Sequence, residues 1–579
     1  MDIKTNSRMK TRYIVPLLLF CLFACMACED DKTEMPRLFR PSFIASSCFA
    51  EDNTITLAWR TSGEATSYTV ELSQDATFQS EKLETQTVEH GKCVFTNLRY
   101  ETKFYARVRA NNESLAITSN WTEMGSSIST LSRTIPKILY AVEGSRISET
   151  SVEIKWVVSE KNPVDGLAIW EEGTTEERQI SLENASAGQY TITGLTPRIT
   201  YYVALTNSAA PEGAEKYNQQ RFTTAGMPAD AVVVEDGVDL MDKIKAGMTD
   251  ASKQALVFQL KNGVDYYLTA GGEVAAKTGD IKLTKSIALL ANPGERPTLY
   301  IREGCFNVKP ESGNMPDIEY FVVDNVNIKE TWTDSKPSKG SKTRLLNIGK
   351  HDAGTDFTID RFEITNSDIV LPSAVLMMSD ASEGVTTINH IRIDNCLVSG
   401  INTSAVTKQF GFIHAINKGS NVWNDVSVTN STFYEFYISP GVFGAPTANV
   451  PIAAGNKVVI SNCTFYNWGS NKDGKNTYRA VGNFSKLTAP LNLSVNNCVF
   501  GSSESKVLDA GGINLDSKGN YCTSDFEKMS DAGLTLISLD TDDASLFRNI
   551  EENDFTVIDA ESVIYKSEYG DPRWITVLD

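Results

Sequence analysis

The sequence predicts an all-β chain: two β-sandwich modules, then a parallel β-helix with a short capping helix at its start. Three observations carry this. Two stretches alternate polar and apolar residues and end on tryptophan, "TITLAW" at 54–59 and "SVEIKW" at 151–156, as half-buried strands do. A phrase of apolar strand, asparagine and second strand recurs from residue 325 to residue 497. No helical periodicity separates the recurrences, and repeats of 20–50 residues mark a solenoid or a propeller.

The bulk numbers set the bounds. At 579 residues the chain has room for three or four units. Hydrophobic content of 41% and charged content of 22% allow large cores and argue against global disorder. The net charge of −19 is unevenly spread. Residues 227–579 carry 31 basic and 45 acidic side chains, but 401–500 carry 7 basic against 3 acidic. A nucleic-acid partner would call for a larger basic field, so none is expected. The histidines are His90, His351, His390 and His414, none at metal-ligand spacing, and the one CxxC pair lies in the leader. No structural metal is therefore expected.

The leader reads "MDIKTNSRMKTRYIVPLLLFCLFACMACEDD". Lys4, Arg8, Lys10 and Arg12 form a basic start, and Ile14 to Ala27 form an apolar run that is short for a membrane span and right for a signal peptide. Small residue plus cysteine follows twice, at Ala24-Cys25 and Ala27-Cys28. This resembles a bacterial lipoprotein signal. The acidic run Glu29-Asp30-Asp31 resembles the surface-export signal of Bacteroidetes lipoproteins and selects Cys28 as the lipidation site. The resemblance implies an outer-membrane, cell-surface location through a lipid anchor, with residues 1–28 as signal and anchor.

The sandwich modules are placed at 36–132 and 133–226. After each tryptophan strand comes a second signature, "LRYETKFYARVRA" at 98–110 and "LTPRITYYVAL" at 195–205. This pairing resembles the fibronectin type III module. The second copy keeps Leu195, Pro197 and Tyr201; the first keeps Leu98 and Thr102 but has Phe104 for the tyrosine, which cannot make a tyrosine-corner hydroxyl bond. The modules read as spacers holding a distal domain off the membrane, with glycan binding as the alternative. Cys48 and Cys93 are a candidate disulfide pair within the first module, their separation not being fixed by sequence.

The repeat occupies the remainder, 227–579. Its asparagines are Asn325, Asn366, Asn395, Asn430, Asn462 and Asn497, spaced by 41, 29, 35, 32 and 35 residues, with Asn520 as a degenerate last member. Asparagine tolerates the left-handed conformation a sharp bend demands, and stacked amides can bond from coil to coil. Cys396, Cys463 and Cys498 each follow a ladder asparagine and read as inward-pointing thiols. "DLMDKIKAGM" at 239–248 sets Leu240, Ile244 and Met248 on one helical face, a cap for an open strand edge. Cap, repeat and tail together resemble the pectin-lyase superfamily, including uncharacterised Bacteroidetes members found with pectin- and uronate-degradation systems. The resemblance implies a right-handed parallel β-helix but no particular activity.

A uronate lyase needs a base, a means of neutralising the substrate carboxylate and an acid for the leaving oxygen. The groove strands of that superfamily map here to 344–350, 375–380, 410–417, 450–456 and 479–485. They offer Arg479, His414 and Lys350 as candidate catalytic residues, beside Arg344 and Asp380, and no alternating aspartates for metal. Ca²⁺ would enter only if the protein were a lyase; otherwise no cofactor is expected. Trp423, Tyr434, Trp468 and Tyr478 are candidate stacking rings for sugars, with Lys408, Lys418, Lys475 and Lys486 as cations for an acidic polymer. The expected function is a surface lipoprotein that binds a pectic or other uronate-containing polysaccharide through its β-helix, with other proteins of a glycan-uptake complex as partners. The alternatives are a β-eliminating lyase and an adhesin.

Overall fold

The computed structural model describes residues 37–269, 278–302, 304–330, 344–372, 375–380, 383–401, 410–415, 420–438, 441–444, 457–469, 478–484, 491–509, 511, 513–527 and 533–578. The lipidation site expected at Cys28 and the lysines Lys408, Lys418, Lys475 and Lys486 lie outside these residues. The described residues fall into two compact units, one within 37–133 with 209–215 and the other within 134–208 with 216–578.

The first unit holds a sandwich of two antiparallel sheets. Thr54–Arg60 pairs with Ser42–Phe43, Phe49–Glu51 and Lys92–Phe95 in one sheet. Ser67–Ser73 lies between Glu84–Val88 and Lys103–Asn112 in the other. Alternation in Lys103–Asn112 sends every second side chain inward, and Trp59, Tyr68, Phe95 and Phe104 fill the space between the sheets. Cys48 and Cys93 are free thiols; Cys93 donates to Gln86 Oε1 at 3.1 Å and Cys48 to the Ala58 carbonyl at 3.4 Å.

The second unit begins with the other sandwich. Ser151–Lys155 pairs with Gln189–Thr193, and Arg178–Ser181, Gly166–Glu171, Thr200–Thr206 and Lys216–Thr223 form the facing sheet in that order. Trp156 sits in its core. Tyr201 keeps the corner, its hydroxyl accepting the Thr196 N–H at 3.1 Å.

From Val232 the chain winds into three parallel sheets. The ladder sheet runs over ten strands, from Val232–Val234 to Ile513–Lys518. The exit sheet also has ten, from Asp265–Tyr267 to Ile537–Ser538. The third sheet has eight, from Gly279–Lys282 to Lys506–Asp509. One continuous core of Ile, Val, Leu and Phe fills the interior, with Phe433, Phe465 and Phe500 stacked at 5.1 and 5.2 Å.

The bend from ladder sheet to exit sheet falls on the six asparagines, whose φ values are 59°, 53°, 54°, 50°, 52° and 57° from Asn325 to Asn497. This is the left-handed region that costs most side chains about 1–2 kcal/mol and asparagine least. The residue after each bend points inward, so Cys396, Cys463 and Cys498 are buried thiols; burial pushes Cys396 up to about 12. Asn520 departs from the expected pattern. Gly519, at φ 63°, takes the bend, and Asn520 follows it into the core, donating to the Val495 carbonyl at 2.6 Å and accepting the Cys498 N–H at 3.1 Å.

The ends are closed. Helix Leu240–Thr249 buries Leu240, Met241, Ile244 and Met248 against the first coils, and a Cβ on Gly247 would sit 2.6 Å from the Leu256 side chain, which would have to shift to admit it. The tail packs Leu546, Phe547, Phe555 and Ile564 onto the exit sheet beside Tyr434, Tyr466 and Tyr521. The coil expected to present 450–456 on the third sheet instead uses Phe443–Gly444, placed between Ile413–Ala415 and Arg479–Asn483. Residues 450–456 are outside the described residues.

Candidate binding faces of the β-helix

Two faces collect polar side chains. The first is the asparagine corner, where the second sandwich packs. The residues just before the bends form a row in register: Asp324, Thr365, Asp394, Thr429, Ser461 and Asn496. Each aspartate accepts from the Thr-Asn pair of the following coil. Thr365 and Asn366 donate to Asp324 Oδ1 at 2.7 and 2.8 Å, and Thr429 and Asn430 donate to Asp394 Oδ1 at the same two distances.

The other oxygen of each aspartate faces an arginine of the sandwich. Arg198 lies 3.5 Å from Asp324 Oδ2, and Arg221 lies 2.9 Å from Asp394 Oδ2. At Asp394 the charges close into a ring. Arg221 also pairs with Glu172 at 2.7 Å, and Arg392 bridges back from Asp394 (2.9 Å) to Glu172 (3.4 Å). Two cations and two anions balance. The Asp394 side chain is only 2% exposed. Burial raises its pKa, but Arg221, Arg392 and the Thr429 and Asn430 donors outweigh it, so the carboxyl is held below its usual value. Burial likewise opposes the charge on Arg221, and Asp394 and Glu172 overcome it.

The C-terminal segment crosses the same corner. The Asp571 carboxylate accepts from Thr432 at 2.7 Å, and its backbone N–H donates to Thr464 Oγ1 at 3.0 Å. Arg573 pairs with Asp571 at 2.8 Å and donates to Asn395 Oδ1 at 3.0 Å, and the Trp574 indole donates to Thr432 at 2.7 Å. Lys137 of the sandwich joins this strap through Glu568 at 2.5 Å. Sandwich, bends and strap enclose a cleft of about 470 Å³.

The second face is the outer side of the third sheet. Its outward row, in register, is Lys282, Asn307, Asn347, Met378, His414, Gly444, Asn483 and Asp509. Near its start Asn347 donates to Asn307 at 2.7 Å and accepts from Arg344. Near its end Arg479 and Lys506, opposite each other in register, converge on Asp509; Arg479 Nε lies 2.5 Å and Lys506 Nζ 3.4 Å from its oxygens.

The candidate catalytic residues are scattered along this face. Arg479 is ion-paired with Asp509. His414 is buried; burial and then the nearby Arg344 push its imidazole down to about 4, and its Nδ1 accepts the Gly411 N–H at 3.1 Å. Lys350 is exposed at a strand end and pairs with Glu383 at 2.6 Å, whose hydrogen bond and charge raise its pKa. Among the described residues, no three His, Cys, Asp or Glu side chains converge as metal ligands would.

The expected aromatic platform is not presented to solvent. Trp423 points into the core from strand Ser420–Thr429. Trp468 is 0% exposed, its indole donating to the Lys506 carbonyl at 2.8 Å. Tyr478 is buried against Gly469, and Tyr434 lies against Phe555 of the tail at 5.5 Å. These rings sit where a β-helix needs bulk, and period-two alternation alone does not reveal which turns the tail covers. Sequence reasoning also missed the aspartates. The signal was present: "VDN" and "IDN" at 323–325 and 393–395 differ from the "TN", "SN" and "NN" of the other coils.

Residues 458–574 match a family described as a domain of unknown function, DUF5123. That stretch runs from the strand Lys457–Ser461 to Trp574, and so covers the last ladder coils and the strap across them. No curated protein matches. Among solved structures, the crystal structure of chicken CNTN1 FN1–FN3 domains is similar at 14% identity over 33% of this chain and 68% of that chain, with a TM-score of 0.15.

Proposed function

We propose that this protein is a lipid-anchored cell-surface protein that holds an acidic, uronate-containing polysaccharide on the C-terminal coils of its β-helix and does not cleave it, as part of a glycan-utilisation system. The observation that carries the reading is the Arg479–Asp509–Lys506 cluster, two cations sharing one carboxylate on the outer face of the third sheet. Asn483 stands beside Asp509's row position on the adjacent coil. Residues 401–500, which include Arg479, carry 7 basic against 3 acidic side chains within an acidic domain. Such a local field steers a polyanion regardless of the net charge. Parallel strands repeat about every 4.8 Å, so successive coils offer evenly spaced contacts to a linear polymer.

Binding without elimination is supported by the state of the candidate bases. An eliminating base must be free of its proton near neutral pH and must reach the substrate. His414 is unprotonated but buried and weakly basic; Lys350 is held protonated by Glu383; Arg479 is committed to Asp509. Surface location rests on the leader and Cys28.

Affinity electrophoresis through gels containing polygalacturonate tests the reading. Wild type is retarded at low salt, and the retardation fades as the Debye length falls from about 10 Å at 0.1 M to 3 Å at 1 M. Arg479→Ala combined with Lys506→Ala weakens it. Equal migration with and without the polymer overturns the proposal.

A further inference from the structure

We propose that the cleft between the second sandwich and the asparagine corner is a separate binding site, for a neutral sugar of one or two residues. It goes beyond the polysaccharide face in both place and ligand class. The cleft's volume, about 470 Å³, falls in the range of small-ligand sites. Its walls are rich in amides. Gln219 and Gln220 come from the sandwich strand Lys216–Thr223, and Asn430, Asn462 and Asn497 from successive bends. A planar amide offers donors and an acceptor together, which suits vicinal hydroxyls. One aromatic ring lines the same space. Tyr202 stacks on Trp170 at 5.7 Å and 16° and is held by its hydroxyl's bond to Glu172 at 3.3 Å. A ring so fixed can cover the C–H face of a pyranose.

The charges around the cleft select against an acidic ligand. Arg221 is matched by Asp394 and Glu172, Arg573 by Asp571, and Glu568 by Lys137. With Arg392, the cations here are matched one to one by carboxylates, whereas Arg479 and Lys506 on the other face converge on a single one, so a uronate carboxylate entering the cleft would have to displace a partner. Hydroxyls would not. The ladder also leaves a free hand there. Asn395 donates to Asn366, Asn430 to Asp394 and Asn462 to Asn430, whereas the Asn497 side chain makes no such bond among the described residues, and Gly519 at the following bend has no amide to donate to it. Its amide lines the cleft with hydrogen-bonding capacity to spare.

Ligand-observed saturation-transfer NMR on the full chain tests this, with glucose, mannose, galactose, cellobiose and lactose as probes. At least one probe receives saturation. Tyr202→Ala, and Gln219→Trp at an exposed strand position where an indole fills the cleft without touching the core, each weaken that signal, corresponding to about a tenfold loss of affinity. Arg479→Ala, on the other face, leaves it unchanged, and polygalacturonate does not compete. Absence of transfer to all five probes overturns the proposal, as does a signal that survives both cleft variants.

Discussion

Arg221 of the second sandwich and Asp394 of the β-helix meet at 2.9 Å in a nearly dry joint, 173 residues apart in sequence. The contact recurs in weaker form between Arg198 and Asp324 at 3.5 Å. Both aspartates occupy the same position in their coils, just before a bend asparagine, and both are braced by the Thr-Asn pair of the following coil. Two acidic coils thus serve as seats for the sandwich. This revises the spacer reading of the second module, which is part of the wall of the β-helix corner.

Breaking one side of the ring leaves a buried charge poorly matched. Arg221→Met is expected to destabilise the second unit by about 2–4 kcal/mol, the lower end reflecting the remaining Arg392 partner. A double-mutant cycle with Asp394→Asn, read by urea unfolding, is expected to give a coupling of about 1–3 kcal/mol. Additive effects would mean that the two residues do not communicate.

The bends separate backbone from side-chain effects. Asn430→Gly keeps the left-handed conformation but removes the bonds to Asp394 and from Asn462, at an expected cost of about 1–3 kcal/mol. Asn430→Leu adds strain at φ 50° and costs more. Asn497→Gly, which removes no side-chain bond along the ladder, is expected to be nearly neutral. Denaturant midpoints of the three variants check this order.

Asp571 gives the strap a pH response. Burial pushes its carboxyl up to about 6 despite Arg573 and Thr432, so between about pH 4 and 6 the folded chain holds a proton that the unfolded chain has released. Stability from this group falls as pH rises through 6 and is gained on acidification. Asp543, raised to about 6 by burial and by Asp525, acts in the same direction. Asp394, held low, acts oppositely: its contribution is present above the usual carboxylate pKa and is lost as pH falls through its depressed value. Melting temperatures from pH 7 to pH 5 are expected to rise, and Asp571→Asn is expected to flatten that slope.

The fold was legible because its signals are local and repeated. A bend that needs left-handed backbone prints an asparagine each time, and buried strands print Val, Ile and Phe. Tyr201 likewise announced its corner. Side-chain exposure was not legible. Trp468 and Tyr434 look available in sequence, but their cover comes from Phe526 and Phe555, far along the chain. The Arg221–Asp394 joint escaped for the same reason: "IDN" marks an acidic coil, yet nothing local names its partner. Gly519 shows the converse, since a glycine can replace the bend asparagine and shift Asn520 into the core.

The central functional claim is retention of an acidic polysaccharide without cleavage. Calorimetric titration of the full chain with oligogalacturonides of defined length, in the presence and absence of Ca²⁺, followed by sizing and ultraviolet absorbance of the recovered sugar, measures both halves at once. The expected result is weak, salt-sensitive binding, roughly 10 µM to 1 mM, with every oligomer recovered at its original length. Shortened oligomers carrying the ultraviolet-absorbing unsaturated end would contradict it and identify the third-sheet face as catalytic.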